Sequence, residues 1–546
     1  MGREREKEKE QKADQLNRRD LFKVGTAVAG TALVQPVAAH FAAGQPKTAA
    51  SGPDVAMKSD TPFSAVPLLP FPKSLPPAKS KRPNVVLIVL DTERADHCSC
   101  YGYHRQTTPN LDAFAAGARV YKNVLAPSCF TMTCHASLFT GLSTSAHGTD
   151  WFHWYMDDAF ETLAQQLAAN GYQTVGLASN SVFVNRRSGF DRGFQTFWNP
   201  REYRPPDPTL DVNTNEYWCD DTTRATEMQA RLAKWFTDEY DSQKPFFVFM
   251  NYLEAHQPYL PPPEFLQFAS YQAWCRWRIQ MQSPHPLSKL LFDHALTGAD
   301  MLSSKDIAEV EALYDDAMCY VDRKVGEVLA FLKSTGLEDN TMVIITSDHG
   351  EHFGEHRMMD HQFSLYEPLV RTPLVVRYAD RFPVGEETSL VQTHDVYPTI
   401  LELAGVPWKK LPGQTCRSLL QPNSEVRYGI SEYLYPSSEL HRVCLAYPKA
   451  NVSAFSRRLR AIQRENMKLI CPSEGNPELY DLVNDPMETR NLAKDKADLT
   501  REFTATLDAW VRSFDHYVAK PLPRNTPVEN PSEDRLKTMR GLGYAH

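Results

Sequence analysis

Two stretches of the chain place metal-binding groups where a buried strand would end. Asp91 directly follows the continuous apolar run Asn84-Val-Val-Leu-Ile-Val-Leu90, and Asp348-His349 closes a similar run that begins at Met342. A bare carboxylate there is costly unless it is paired, hydrogen-bonded or bound to a metal. A helix cap or a partnership with Arg94 would account for Asp91 alone. Two carboxylates and an imidazole together make a hard-to-borderline divalent site, suited to Mn²⁺, Ca²⁺, Mg²⁺ or Zn²⁺. A third stretch, Ser128-Cys-Phe-Thr-Met-Thr-Cys-His-Ala-Ser-Leu-Phe-Thr-Gly141, supplies nucleophiles in excess: two cysteines, two serines and three threonines. Taken by itself it does not choose among them. A rival metal motif, His352-Phe-Gly-Glu-His356, fits the H-x-x-E-H pattern in which two histidines on one helical face bind zinc in a protease. Gly350 and Gly354 fall in or beside it, each weakening a helix by about 1 kcal/mol relative to alanine, so a loop after a strand fits better.

These groups need a scaffold that brings strand ends together. Runs of buried-strand type recur at 84–90, 246–251 and 342–346, and segments of helical period lie between them at 110–117, 159–170, 222–239 and 307–334. Alternation of this kind predicts an α/β fold, a large, mostly parallel, doubly wound sheet flanked by helices. Such sheets bind ligands at the carboxyl ends of their strands, which collects Asp91, the segment Tyr252 to His256, and Asp348-His349 on one rim. After Leu420 the pattern changes to short alternating stretches, 459–463 and 467–470, and a late helix near 499–518, which predicts a smaller C-terminal α+β domain. The expected division is a signal segment at 1–39, a linker at 40–82, a catalytic domain at 83–420 and the C-terminal domain at 421–546.

The N-terminus reads as an export signal: Arg18-Arg19, then the apolar Val24 to Val34, then the small residues Val37-Ala-Ala39 with a cleavage site after Ala39. This resembles a twin-arginine signal, implying the Tat export machinery as a partner and a periplasmic or secreted location. The apolar run is too short and too rich in Gly and Thr for a stable membrane span. The Pro-, Lys- and Ser-rich linker shows no regular period. A net charge of −8, with no basic cluster interleaved with aromatics, argues against nucleic acid as a partner. Small anionic esters stay open as substrates, because a metal supplies local positive charge that the net count hides. Ten cysteines are not spaced as CxxC pairs, and the resemblance to a twin-arginine substrate, exported already folded, implies that most of these thiols are buried and reduced.

An ordered set of stretches resembles the sulfatase family of the alkaline phosphatase superfamily. They are Pro83 to His97, Cys100-Tyr-Gly-Tyr103, Thr108-Pro-Asn-Leu-Asp112, His135-Ala-Ser-Leu-Phe-Thr-Gly141, His256-Gln-Pro-Tyr259, Ser347-Asp-His-Gly-Glu351 and Glu478 to Pro486. In that family the catalytic loop begins with a Cys or Ser that becomes formylglycine, followed two residues later by Pro and four later by Arg, and it ends in Thr-Gly. Counting back from Thr140-Gly141 puts Thr131 in the nucleophile position, Thr133 at the proline and His135 at the arginine. Threonine is not converted to formylglycine, and Cys129 and Cys134 are out of register. Residues 134–139 read as the first turns of a helix, with Thr131 just before its N-terminus, where the dipole favours an attacking alkoxide and an anionic substrate.

Other departures point the same way. Thr92 stands where the family has a second Asp, and His349 stands for an Asn. Ser179 and Ser181 replace a sulfate-binding lysine and histidine, and a region containing His361 replaces another lysine. The resemblance therefore implies relatives with a Thr nucleophile and an Asp/Asp-His metal site: phosphodiesterases, phosphonate hydrolases and phosphoalcohol transferases. It implies a divalent metal held by Asp91, Thr131, Asp348 and His349. His256 and His361 would protonate the leaving oxygen or bind the anion, and His135 would hold the loop or the substrate. The expectation is an exported metal-dependent hydrolase of phosphate, phosphodiester or phosphonate esters, with hydrolysis preferred to transfer because no membrane span is visible. A sulfuric ester hydrolase lacking formylglycine and a non-catalytic ester-binding protein are the alternatives.

Overall fold

The computed structural model describes residues 71–151, 153–200, 224–281, 283, 285–378, 381–421, 426–436 and 439–518. The twin-arginine segment and the linker as far as residue 70 lie outside the described residues, as does the aromatic and Pro-rich stretch 201–223.

Eight strands form the central sheet: β1 (Asn84–Leu90), β2 (Arg119–Tyr121), β3 (Gln173–Ala178), β4 (Thr196–Trp198), β5 (Phe246–Tyr252), β6 (Thr341–Ser347), β7 (Leu374–Arg377) and β8 (Gly385–Glu387). Their spatial order is β8-β2-β7-β6-β1-β5-β3-β4. β7 runs antiparallel to both its neighbours, and the other pairings are parallel. The long apolar runs occupy the centre, because only there are both faces of a strand covered; all seven residues of β1 are buried, as are all seven of β5 and of β6. Register then places the chemistry. Leu90 pairs with Ser347 on one side and Tyr252 on the other, so Asp91 and Asp348 leave the sheet side by side.

Helices cover both faces. On one, Phe247 and Phe249 of β5 pack with Leu138 and Phe139 of α2 (Thr131–Thr140) and Leu163 and Leu167 of α3 (Leu163–Ala169), α1 (Pro109–Ala115) having preceded them in the chain. On the other, Phe246 stacks edge-on against Phe236 of α4 (Arg224–Asp238), which also meets Phe331 of the 31-residue α5 (Ser304–Ser334). α3 begins four residues later than the sequence period suggests. Thr162 closes a capping box with Gln165, which ends the preceding loop at that point. Thr131 is the first residue of α2, not a residue before it, since Phe130 is the extended cap.

The C-terminal sheet is an antiparallel meander, β9 (Gly429–Tyr433), β10 (Leu459–Arg464), β11 (Met467–Pro472) and β12 (Glu478–Asp481), with α6 (Ala497–Val511) on one face. Alternation along the strands sorts its two faces. Ile430, Ile462, Leu469 and Leu479 pack against Phe503 and Leu507 of α6, whereas Ala461, Ile470 and Tyr480 face Leu365, Leu369 and Val370. No helix among the described residues is long and apolar enough to cross a membrane.

One buried cation ties this sheet to the segment after the site. Lys468 of β11 is fully buried, its Nζ 2.7 Å from Glu367 Oε1 and 2.7 Å from Glu488 Oε1. Lys468→Ala would strand the buried Glu488 carboxylate and unpair the part-exposed Glu367, and the expected cost is about 3 kcal/mol, read as a lower urea midpoint at unchanged slope.

Candidate metal and nucleophile site

The backbone at the rim is bent so that its amides hold the acids. Asp91 N donates to Tyr252 O at 2.8 Å, and Thr92 then turns with φ of 61°, which lets its own amide reach Asp348 Oδ1 at 3.2 Å. That oxygen also accepts the His349 amide at 2.9 Å. Asp91 Oδ2 accepts two side-chain amides, Asn180 Nδ2 at 2.9 Å and Asn251 Nδ2 at 3.2 Å. The second oxygen of each acid, Asp91 Oδ1 and Asp348 Oδ2, has no hydrogen bond although both residues are buried. Ligand atoms of Asp91, Asp348 and His349 all lie within 4.8 Å of one another.

The imidazole is oriented from behind. His349 Nδ1 donates to the Gly350 carbonyl at 3.0 Å, so its Nε2 presents a lone pair, 3.1 Å from Thr131 Oγ1 and 3.6 Å from Asp348 Oδ2. Electrostatics describe a site lacking positive charge. Burial, with Asp348 adding to it, pushes the Asp91 carboxyl up to about 7, and burial pushes Asp348 up to about 7 against the pull of the surrounding backbone amides. Burial also holds His349 below its ordinary value, as a neutral base. Two unsatisfied carboxylate oxygens and a neutral imidazole nitrogen on one small surface fit a hard-to-borderline divalent cation.

Thr131 is brought to the same surface by the start of α2. His135, one turn on, donates Nδ1–H to the Thr131 carbonyl at 2.8 Å, and its Nε2 faces Asn251 Nδ2 at 3.4 Å, the same amide that serves Asp91. His135 thus links the loop carrying Thr131 to Asp91, and burial keeps it neutral, at about 4. His361 lies against His349 with ring centroids 4.7 Å apart, and His256 against His361 at 4.8 Å. The structure therefore brings Thr131, Asp91, Asp348, His349 and His135 together and reaches His256 through His361.

The cysteines that compete with Thr131 are poor nucleophiles here. Cys129 and Cys134 are buried, burial raises both thiols, and Cys134 Sγ donates to Ser128 O at 3.2 Å. All nine cysteines among the described residues are free. The protease motif dissolves as well. His352 is in a two-residue strand with Nε2 2.9 Å from Ser364 Oγ, while His356 stacks on Tyr366 at 3.8 Å, so they share no helical face.

Sequence reasoning passed over Asn180 and Asn251, which fix Asp91. Asn251 lies within the run that ends β5 and Asn180 two residues past β3, so the strand-end rule that found the acids could have found them. It took Gly350 only as a helix breaker. A Cβ there would sit 2.0 Å from the Pro368 carbonyl oxygen, so the strand end carrying Asp348-His349 packs directly on that backbone. Gly350→Ala is expected to destabilise by about 1–3 kcal/mol and to cost activity even where the protein folds, measured as kcat/KM beside the melting temperature.

Comparison with known proteins agrees with this architecture. A family model described as Sulfatase matches residues 83–406, and one described as N-sulphoglucosamine sulphohydrolase, C-terminal, matches residues 354–512. The multifunctional alkaline phosphatase superfamily protein PehA of Trinickia caryophylli is 26% identical over 513 residues, covering 81% of this chain and 98% of that protein. Arylsulfatase K of Canis lupus familiaris is 26% identical over 462 residues, covering 80% and 83%. Among solved structures, the phosphonate monoester hydrolase of Agrobacterium radiobacter superposes with a TM-score of 0.59 at 19% identity, over 79% of this chain and 95% of that one. The match of 83–406 spans well over half of the 546 residues: the chain belongs to the sulfatase family of hydrolases.

Proposed function

We propose that the protein is an exported, metal-dependent hydrolase of phosphate, phosphodiester or phosphonate esters, with Thr131 as nucleophile. The observation that carries this is the 3.1 Å contact between Thr131 Oγ1 and His349 Nε2, beside two carboxylate oxygens without hydrogen bonds. Asp91, Asp348 and His349 would hold the divalent cation, which when bound polarises the ester oxygen and lowers the pKa of the Thr131 hydroxyl. Thr131 Oγ1, its proton released to bulk water as the hydroxyl ionises, attacks phosphorus as the phosphorus–oxygen bond to the leaving group breaks. The positive end of α2, on which Thr131 sits, stabilises negative charge at that point. His256 or His361 donates a proton to the leaving oxygen, and water then releases the phosphoryl group from Thr131. His135 positions the loop through the Thr131 carbonyl.

Sulfate-ester hydrolysis is the second reading, supported by the sulfatase-type relatives. A panel of aryl sulfate, phosphate monoester, phosphodiester and phosphonate substrates distinguishes the two. Phosphorus esters should be turned over with the larger kcat/KM; turnover confined to the sulfate ester would overturn the first reading. Export rests on Arg18-Arg19 and is tested by fractionating cells that express the native gene and its Arg18→Lys, Arg19→Lys form.

A further inference from the structure

We propose that Glu351, Asp360 and His361 form a second divalent-cation site, separated from the first by the pair of imidazoles His349 and His361. The chain builds it with a tight hairpin. His352–Phe353 pairs antiparallel with Met359–Asp360, placing His352 opposite Asp360, so Glu351 is brought to Asp360 and His361, nine and ten positions on. His361 Nδ1 lies 3.0 Å from Asp360 Oδ1 and 3.3 Å from Glu351 Oε1, and ligand atoms of the three residues all fall within 4.8 Å of one another. The separations of 3.0 and 3.3 Å match the edges of a coordination shell whose bonds are about 2.1 Å long. The three residues are fully buried.

Charge argues for a cation in the same place. Neutral donors serve Asp360: the His361 amide reaches Oδ1 at 2.7 Å and Gln257 Nε2 reaches Oδ2. Neither they nor a neutral imidazole brings the positive charge that two carboxylates surrounded by protein call for. Arg94 is close, but its guanidinium is engaged by Asp96 at 2.8 Å and Glu355 at 2.6 Å and donates to the Glu351 carbonyl oxygen, not to the carboxylate. A separate group points the same way. Tyr259, fully buried, turns its hydroxyl to Glu351 yet makes no hydrogen bond of ordinary length there. The oxygen, oxygen and nitrogen ligands suit Mn²⁺ or Zn²⁺. Ligation through Nδ1 would fix the proton of His361 on Nε2, leaving that nitrogen a donor. The inference goes beyond the assignment of Thr131 and does not depend on it.

The test is metal stoichiometry. The purified chain is stripped with chelator, reloaded with Zn²⁺ or Mn²⁺, desalted and analysed by plasma mass spectrometry. Two equivalents are expected in the wild type, one in Glu351→Gln and one in Asp360→Asn. Asp348→Asn, which removes a ligand of the first site, should retain the second ion. One equivalent that Glu351→Gln keeps and Asp348→Asn loses would overturn this proposal and leave the first site standing; no bound metal at all would overturn both. If Glu351→Gln does not fold, anomalous scattering from wild-type crystals decides, with a peak among Glu351, Asp360 and His361 expected and a bare cluster contradicting it.

Discussion

Thr131→Ala should lower turnover of the best phosphorus ester by on the order of 10⁴-fold or more, with KM changed far less than kcat. The substitution removes Oγ1, the atom 3.1 Å from His349 Nε2, and little else. Alanine is a good helix former at the first position of α2, and the His135 contact is to the Thr131 backbone carbonyl, so the loop keeps its anchor. Thr131→Ser, which restores the hydroxyl without the methyl, should recover most of the loss. Cys129→Ala and Cys134→Ala should leave kcat within a few fold, because both thiols are buried and raised. Steady-state kinetics on the four variants check the set together. Substantial turnover in Thr131→Ala would mean that water attacks directly, and the role assigned to Thr131 would have to be given up.

How far the sequence speaks depends on which physical signal a residue carries. The central strands were legible because burial on both faces demands unbroken apolar runs, as in Val85 to Leu90 and Met342 to Ile345. From them followed the level placement of Asp91 and Asp348, since parallel strands of equal length end at one rim. The short strands β2, β4 and β8, at and beside the sheet edges, carry three residues each and no comparable signal. The choice of Thr131 as the candidate comes from counting back from Thr140-Gly141 within the resemblance and from its place beside the start of a helix. Asn180 and Asn251 were overlooked because a neutral amide at a strand end raises no electrostatic question until the acid it serves is seen. The hairpin that joins Glu351 to Asp360 and His361 was hidden for a different reason. Its ladder is two residues long on each side, and backbone with φ of 67° at Asp360 and 61° at Phe363 follows no propensity rule for those residue types.

Chelation should abolish activity and also invert the response of stability to pH. In the metal-free protein burial holds the Asp91 and Asp348 carboxyls at about 7, with Asp348 adding to the effect on Asp91. Unfolding returns both to roughly 3.9. Between these values the folded state binds protons that the unfolded state has released. The stability these groups contribute is therefore complete below about pH 4 and is lost as pH rises to about 7, on the order of a few kcal/mol in all. A divalent cation competes for the same oxygens and needs them ionised, so its binding strengthens over the same interval. The chelated protein is then expected to melt higher at pH 5 than at pH 8, and added Mn²⁺ should raise the melting temperature far more at pH 8 than at pH 5. The double variant Asp91→Asn, Asp348→Asn carries no proton to lose at these positions, so it should flatten the pH slope of the metal-free form and lose the first site's share of the metal response. Thermal melts of both proteins at the two pH values, with and without metal, make the comparison. A metal-induced shift equal at the two pH values would mean that the cation binds without displacing protons, and Asp91 and Asp348 would then not be its ligands.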